Sequence, residues 1–136
     1  MQRSYDPEIL DGEGLPPEIV KQAHRGLSLT HKLLGNHAAI MRALQRETKP
    51  IRHVLDIGCG YGELLKKMRR RLNVDVVGVD LHPPAPGEHE FPIFQLNAVH
   101  DDLPRADVAV SVCMTHHLRE DELVALIRNV GRSCSR

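Results

Sequence analysis

Three observations predict an α/β fold, with helices flanking a sheet of parallel strands. Between His53 and Leu72 the chain passes from a short apolar run (Val54, Leu55, Ile57) through Gly58-Cys59-Gly60-Tyr61-Gly62 into a helical pattern. A second β-branched run, Val74–Val79, finishes on Asp80. A third, Asp107–Met114, leads into another stretch of helical periodicity. Short apolar runs alternating with helical patterns are what strands buried on both faces look like in sequence.

Length and composition narrow the choice. At 136 residues the chain is about one small domain. Its 18 basic and 18 acidic residues cancel, so no global field points to nucleic acid or a membrane surface. Aromatic content is 3 % with no Trp, which argues against a base-stacking surface. No apolar run approaches the ~20 residues of a membrane span, and Met1–Asp6 lacks the apolar core of a signal peptide. Cys59, Cys113 and Cys134 are odd in number and widely spaced, which fits free thiols in a reducing cytoplasm. The histidines, His24 and His31 among them, bring no acid or thiol at ligand spacing, so no metal site is expected.

Residues 1–16 read as a loop rich in breaker pairs, such as Asp6-Pro7 and Asp11-Gly12. Pro17 opens a helix in which Val20, Ala23, Leu27, Thr30 and Leu34 recur at helical spacing, and Gly35 stops it. Asn36 caps a second helix whose face carries His37, Ile40, Met41 and Leu44. Lys49-Pro50 marks a boundary, giving an N-terminal loop and helical cap over 1–49 and an α/β unit over 50–136. After the glycine turn, Leu64, Leu65, Met68 and Leu72 line one face of a helix that Asn73 ends. Its basic residues, Lys66 to Arg71, crowd the end where they complement the helix dipole, as a solvated face does. The connection His82–Phe91 is too proline-rich for a helix. Pro92–Leu96 reads as a third strand, ending in Asn97-Ala98 and followed by Leu103-Pro104. Asp107–Met114 is a fourth, trailed by Thr115-His116-His117-Leu118. A last helix runs from Arg119 to Val130, with acids first, apolar Leu123, Leu126, Ile127 and Val130 on one face, and Gly131 as its stop.

Glycines spaced G-x-G-x-G after a strand that ends in an acid, Asp56, differ from the G-x-G-x-x-G of nicotinamide and flavin enzymes. A nicotinamide-dependent oxidoreductase is therefore the weaker reading. The pattern Asp56-x-Gly58-x-Gly60-x-Gly62, with Asp80 at the next strand end and Asn97-Ala98 at the third, resembles class I S-adenosylmethionine-dependent methyltransferases of the small-molecule type. The resemblance covers residues 50–130 and implies a Rossmann-like sheet of order 3-2-1-4 with flanking helices and an N-terminal helical extension.

It also implies roles. The loop with Asp56, Gly58, Cys59, Gly60 and Gly62 wraps the cationic methionine part of S-adenosylmethionine, and Asp80 accepts the ribose hydroxyls. Asn97 and Ala98 meet the adenine, with Asn97 standing where an aspartate is usual and accepting from the adenine amino group. Leu81 and Leu96 offer apolar covers for the base, or are ordinary core. Cys113 lies on the strand end nearest the methyl group, and His116 and His117 follow it. Either imidazole can take a proton from a hydroxyl acceptor, or instead shape the loop. For Cys59 the plain reading is a small residue in the turn, with no histidine beside it to activate the thiol.

The implied reaction is methyl transfer to a small-molecule oxygen, nitrogen or carbon acceptor, with no motif naming that acceptor. Strands five to seven of the family's fold are not found, so the fourth strand is expected to carry an open edge. A truncated product is the expected reason; the alternative is that the edge is covered by a partner chain, as in self-association, or by the N-terminal helices. The rival reading is a non-catalytic cofactor-binding fragment that works through that edge.

Overall fold

The computed structural model describes residues 35–85 and 87–136, together with Pro16, Glu18, Ile19, Gln22, Ala23 and Gly26. Glu18, Ile19, Gln22, Ala23 and Gly26 are helical; most of the helix expected over 17–34 lies outside the described residues, as do Tyr5, His24 and His31.

The apolar runs form the strands. β1 (His53–Ile57) lies at the centre, buried from Val54 onward. It pairs in parallel with β2 (Asp75–Asp80) on one side and with β4 (Val108–Ser111) on the other. β2 in turn pairs with β3 (Ile93–Gln95), so the order is 3-2-1-4, all parallel. That is the order the resemblance implied. β3 and β4 are shorter than the runs suggested. Pro92 lacks the N–H a ladder needs and contributes only its carbonyl, to the Gly78 N–H at 2.9 Å. β4 stops at Ser111 because the chain turns at Cys113, whose φ is +59°.

Alternate residues of β1 point to opposite faces, and the core divides accordingly. On one face Val54 joins Val76, Val108 and Val110 beneath α1 (Asn36–Arg46) and α2 (Glu63–Leu72), which supply Met41, Leu44, Leu64, Leu65 and Met68. On the other, Leu55, Ile57 and Val79 pack against Ala98, Val99, Leu103 and Leu126, the last from α3 (Glu120–Ser133). The described residues of the connection from β2 to β3 are not helical, as its prolines require. The connection closes the face above β2 by burying Phe91, tied down by a Lys66–Glu90 ion pair at 3.2 Å and by the Arg69 guanidinium 5.7 Å from the Phe91 ring centre.

Several helix ends differ from expectation. Gly35, not Asn36, is the cap residue of α1; its φ of +75° turns the chain, and no side chain caps the helix. Asn73 ends α2 in the left-handed conformation (φ +53°), as expected. α3 runs through Gly131 to Ser133, because the Cys134 N–H still reaches the Val130 carbonyl at 2.7 Å. Its acidic first turn is as expected, and the Glu122 carboxylate accepts the Arg119 N–H at 2.8 Å.

The outer edge of β4 is not fully open. Cys134 bridges Ala106 in parallel, and the Ala109 N–H donates to the Arg136 carbonyl at 3.0 Å. The Arg136 guanidinium then bonds Glu47 and the carbonyls of Lys49 and Pro50. The expected open edge is thus partly filled by the chain's own last residues. No helix among the described residues is long and apolar enough to cross a membrane.

Candidate functional site

Register brings the strand ends together. Asp56 lies opposite Gly78, Ile57 opposite Val79 and Ser111, and Asp80 opposite Gln95. Asp56, Asp80 and Asn97 therefore lie at or just beyond the carboxyl ends of three adjacent strands, where open α/β sheets bind ligands.

The turn after β1 is held open by its glycines. Gly58, Gly60 and Gly62 have φ of +72°, +51° and +75°, a region other residues rarely adopt. A Cβ on Gly58 would also lie 2.8 Å from Met114, which follows β4 and rests on the turn. Cys59 points inward: its sulfur packs on Gly78, where any Cβ would overlap it. Burial, then the Asp56 and Asp80 carboxylates, push its thiol far above the usual range, so it is unreactive. Its contribution to the turn is shape.

Asp80 grips the same turn. One carboxylate oxygen accepts the Gly60 N–H at 2.8 Å and the other the His82 N–H at 2.9 Å. An ionised carboxylate offers about four lone-pair positions, so acceptor capacity remains on both oxygens. Leu81 next to it is 53 % exposed, an apolar side chain at the rim, whereas Leu96 packs into the core.

Asp56 is 3 % exposed, on the Val54 face of β1, and its carboxylate has no hydrogen bond or ion pair among the described residues. Burial, and then the neighbouring Asp80 carboxylate, push its pKa up to about 7. A buried acid beside a second acid is an electrostatic arrangement that a cation relieves.

At the third strand end, Asn97 is built into a turn. Its side-chain oxygen accepts the Val99 N–H at 3.0 Å, its own N–H donates to Asp101 at 2.7 Å, and its carbonyl accepts from the N–H groups of His100 and Asp101. The Asn97 oxygen expected to serve an adenine amino group is already engaged, a consequence of the side chain folding back on its own turn. Ala98 beside it is buried, and its carbonyl accepts from Asn129 of α3 at 2.8 Å. Sequence reasoning missed Asn129, though a polar residue three positions from Leu126, on a buried helical face, is a readable signal. It also missed Gly78, whose need for glycine comes from a sulfur nineteen positions earlier.

Cys113 is exposed, in its left-handed turn, and accepts a hydrogen bond from the Asn36 amide at 3.6 Å. His116 and His117 lie on a short 3-10 turn (Thr115–His117), exposed, with ring centres 4.0 Å apart. The His117 N–H donates to the Met114 carbonyl, which places this turn beside the glycine loop.

Known proteins share this fold. The sugar N-methyltransferase KedS8 from Streptoalloteichus sp ATCC 53650 is 20 % identical, with a TM-score of 0.67 over 90 % of this chain and 51 % of its own. The plantazolicin methyltransferase BpumL, solved in complex with SAH, is 16 % identical, with a TM-score of 0.65 over 87 % of this chain and 49 % of its own. Among curated proteins, an indolepyruvate C-methyltransferase of Streptomyces griseus is 28 % identical over 104 residues, 66 % of this chain and 32 % of that protein. The chain thus spans about a third of that relative and about half of the two structures. A family model described as a methyltransferase domain matches residues 27–135, and with its Rossmann-like 3-2-1-4 sheet the chain belongs to that methyltransferase family.

Proposed function

We propose that this chain holds S-adenosylmethionine across the carboxyl ends of β1, β2 and β3 and serves methyl transfer to a small-molecule acceptor. The observation that carries the reading is Asp56: a buried carboxylate without a partner among the described residues, coupled to Asp80, at the mouth of a turn of left-handed glycines. The cofactor's ammonium and sulfonium supply the positive charge that this pair lacks, and glycines without Cβ atoms leave the main chain free to approach it.

The residues divide the work. Asp56 and the glycine turn receive the amino-acid end. Asp80, already fixed by the N–H groups of Gly60 and His82, turns its remaining lone pairs to the ribose hydroxyls. Leu81, exposed at the rim, covers one face of the base, and the turn that begins at Asn97 and Ala98 meets its edge. When bound, the cofactor supplies a methyl group on a sulfonium, a leaving group good enough that orientation is the protein's main contribution. Cys113 and Met114 line the side nearest that methyl group. Where the acceptor is a hydroxyl, His116 or His117 takes its proton.

Calorimetric titration with S-adenosylhomocysteine tests the reading. The parent chain binds, and Asp80→Ala weakens binding by ~1–3 kcal/mol, the cost of leaving two hydroxyls without their acceptor. Equal affinity in the two proteins, each shown folded by circular dichroism, refutes the assignment.

A further inference from the structure

We infer that Asn129 is a positioning residue for nucleobase recognition, holding the Asn97–Asp101 turn from α3 so that the Asn97 amide, its oxygen kept by the Val99 N–H, turns its NH2 group to the base in one orientation; this rests on the cofactor reading above.

Asn129 is 4 % exposed, and its amide nitrogen donates twice, to the Ala98 carbonyl at 2.8 Å and to the Asp101 carbonyl at 2.7 Å. Both of its protons are therefore spent on one turn, at the two residues that flank its tip. The surrounding surface is apolar: Leu126 on the same helix, with Ala98, Val99 and Leu103 opposite. A polar side chain there is costly unless it is bonded, and among the described residues this one is bonded only to the turn and not within its own helix.

The link to Asn97 runs through a single peptide group. The Ala98 carbonyl and the Val99 N–H belong to one plane and point in opposite directions. Asn129 holds the carbonyl side, and the N–H side donates to the Asn97 side-chain oxygen at 3.0 Å. Fixing one side of the plane fixes the other, and with it the orientation of the Asn97 amide. Bonds inside the turn, from Asn97 to Asp101 and back, lock the backbone but leave that peptide plane to Asn129. In this fold, then, the helix behind the sheet sets the geometry at the base.

A double-mutant cycle in S-adenosylhomocysteine affinity tests the inference. Asn129→Leu removes both donors at similar volume, and Asn129→Ala removes them without added bulk should the leucine variant fail to fold. We expect about tenfold weaker binding when either change is made in the parent, the loss of roughly one well-formed hydrogen bond's worth of positioning. In an Asn97→Ala background the same change should cost less than about twofold, because the group it orients is gone. Equal losses in both backgrounds show a merely structural role and overturn the inference, as does no loss in either. If the parent does not bind S-adenosylhomocysteine, the cofactor reading falls and this role falls with it. The clamp itself is read without ligand: in the variants, hydrogen exchange at the Val99 amide accelerates while β1 amides keep their protection. Unchanged exchange at Val99 contradicts the geometry.

Discussion

Replacing Asp56 by Asn should stabilise the ligand-free protein at alkaline pH and weaken its hold on the cofactor. The folded-state pKa is about 7 against an ordinary value of 3.8, so the folded protein binds the Asp56 proton more tightly than the unfolded chain does. Stability contributed by this group is therefore fullest below about pH 4, declines as pH rises towards 7, and is level above. The distance between 3.8 and about 7 corresponds to ~4 kcal/mol, of which ~3 kcal/mol develops between roughly pH 5 and pH 8.5. The constant cost of burying an amide cancels when the variant is compared with its parent at two pH values. For a chain of this size 1 kcal/mol moves the melting temperature by about 3–4 °C, so the variant's advantage should grow by about 10 °C between roughly pH 5 and pH 8.5. Thermal melts of both proteins across that interval read this directly. A parent and a variant whose melting curves run parallel with pH would refute the claim that Asp56 is a buried, unpaired acid. The same variant should bind S-adenosylhomocysteine more weakly, because the acid that meets its ammonium has become neutral.

Other consequences follow from single contacts. Gly78→Ala places a methyl on the Cys59 sulfur and 3.0 Å from Leu65, and should cost ~1–3 kcal/mol in urea unfolding; Cys59→Gly in the same chain should recover most of it. Asp107 accepts the Arg52 and His53 N–H groups at the start of β1, and these bonds lower its pKa, so its stabilisation is present above the ordinary carboxylate value and lost as pH falls through the lowered one. Asp107→Asn should therefore flatten the acid limb of the stability curve, as read by circular dichroism. Maleimide should label exposed Cys113 well before Cys59, whose thiol is half-buried and kept protonated; equal rates would contradict the inward packing of Cys59. His116→Ala with His117→Ala should lower methyl transfer to a hydroxyl acceptor while leaving cofactor affinity unchanged, as separate turnover and titration measurements would show.

What could be read in the sequence was local. The G-x-G-x-G turn, Asp56 before it and Asp80 at the next strand end all announce themselves through neighbours in the chain, and the sheet order followed from the resemblance they carry. The proline-rich connection also declared its own lack of helix. What escaped notice depends on distant contacts. Gly78 reads as an ordinary strand residue until Cys59 is folded over it, and Asn129 as a surface amide until Leu126 fixes which way the helix faces. Gly131 reads as a helix stop, but the chain beyond it is drawn along β4 by Ala106 and Ala109, which carries the helix through. Asn97 was expected to face the ligand with its oxygen, yet the turn it sits in takes that oxygen for the Val99 N–H.

The central claim is that one cationic nucleoside bridges the ends of β1, β2 and β3. Titrating the ¹⁵N-labelled protein with S-adenosylhomocysteine and following its amide spectrum tests this most directly. Shifts should concentrate at Gly58, Gly60, Asp80, Leu81 and Ala98, with the amino ends of the same strands, His53 and Asp75, unmoved. A spectrum that stays unchanged, or changes chiefly away from those strand ends, would contradict it.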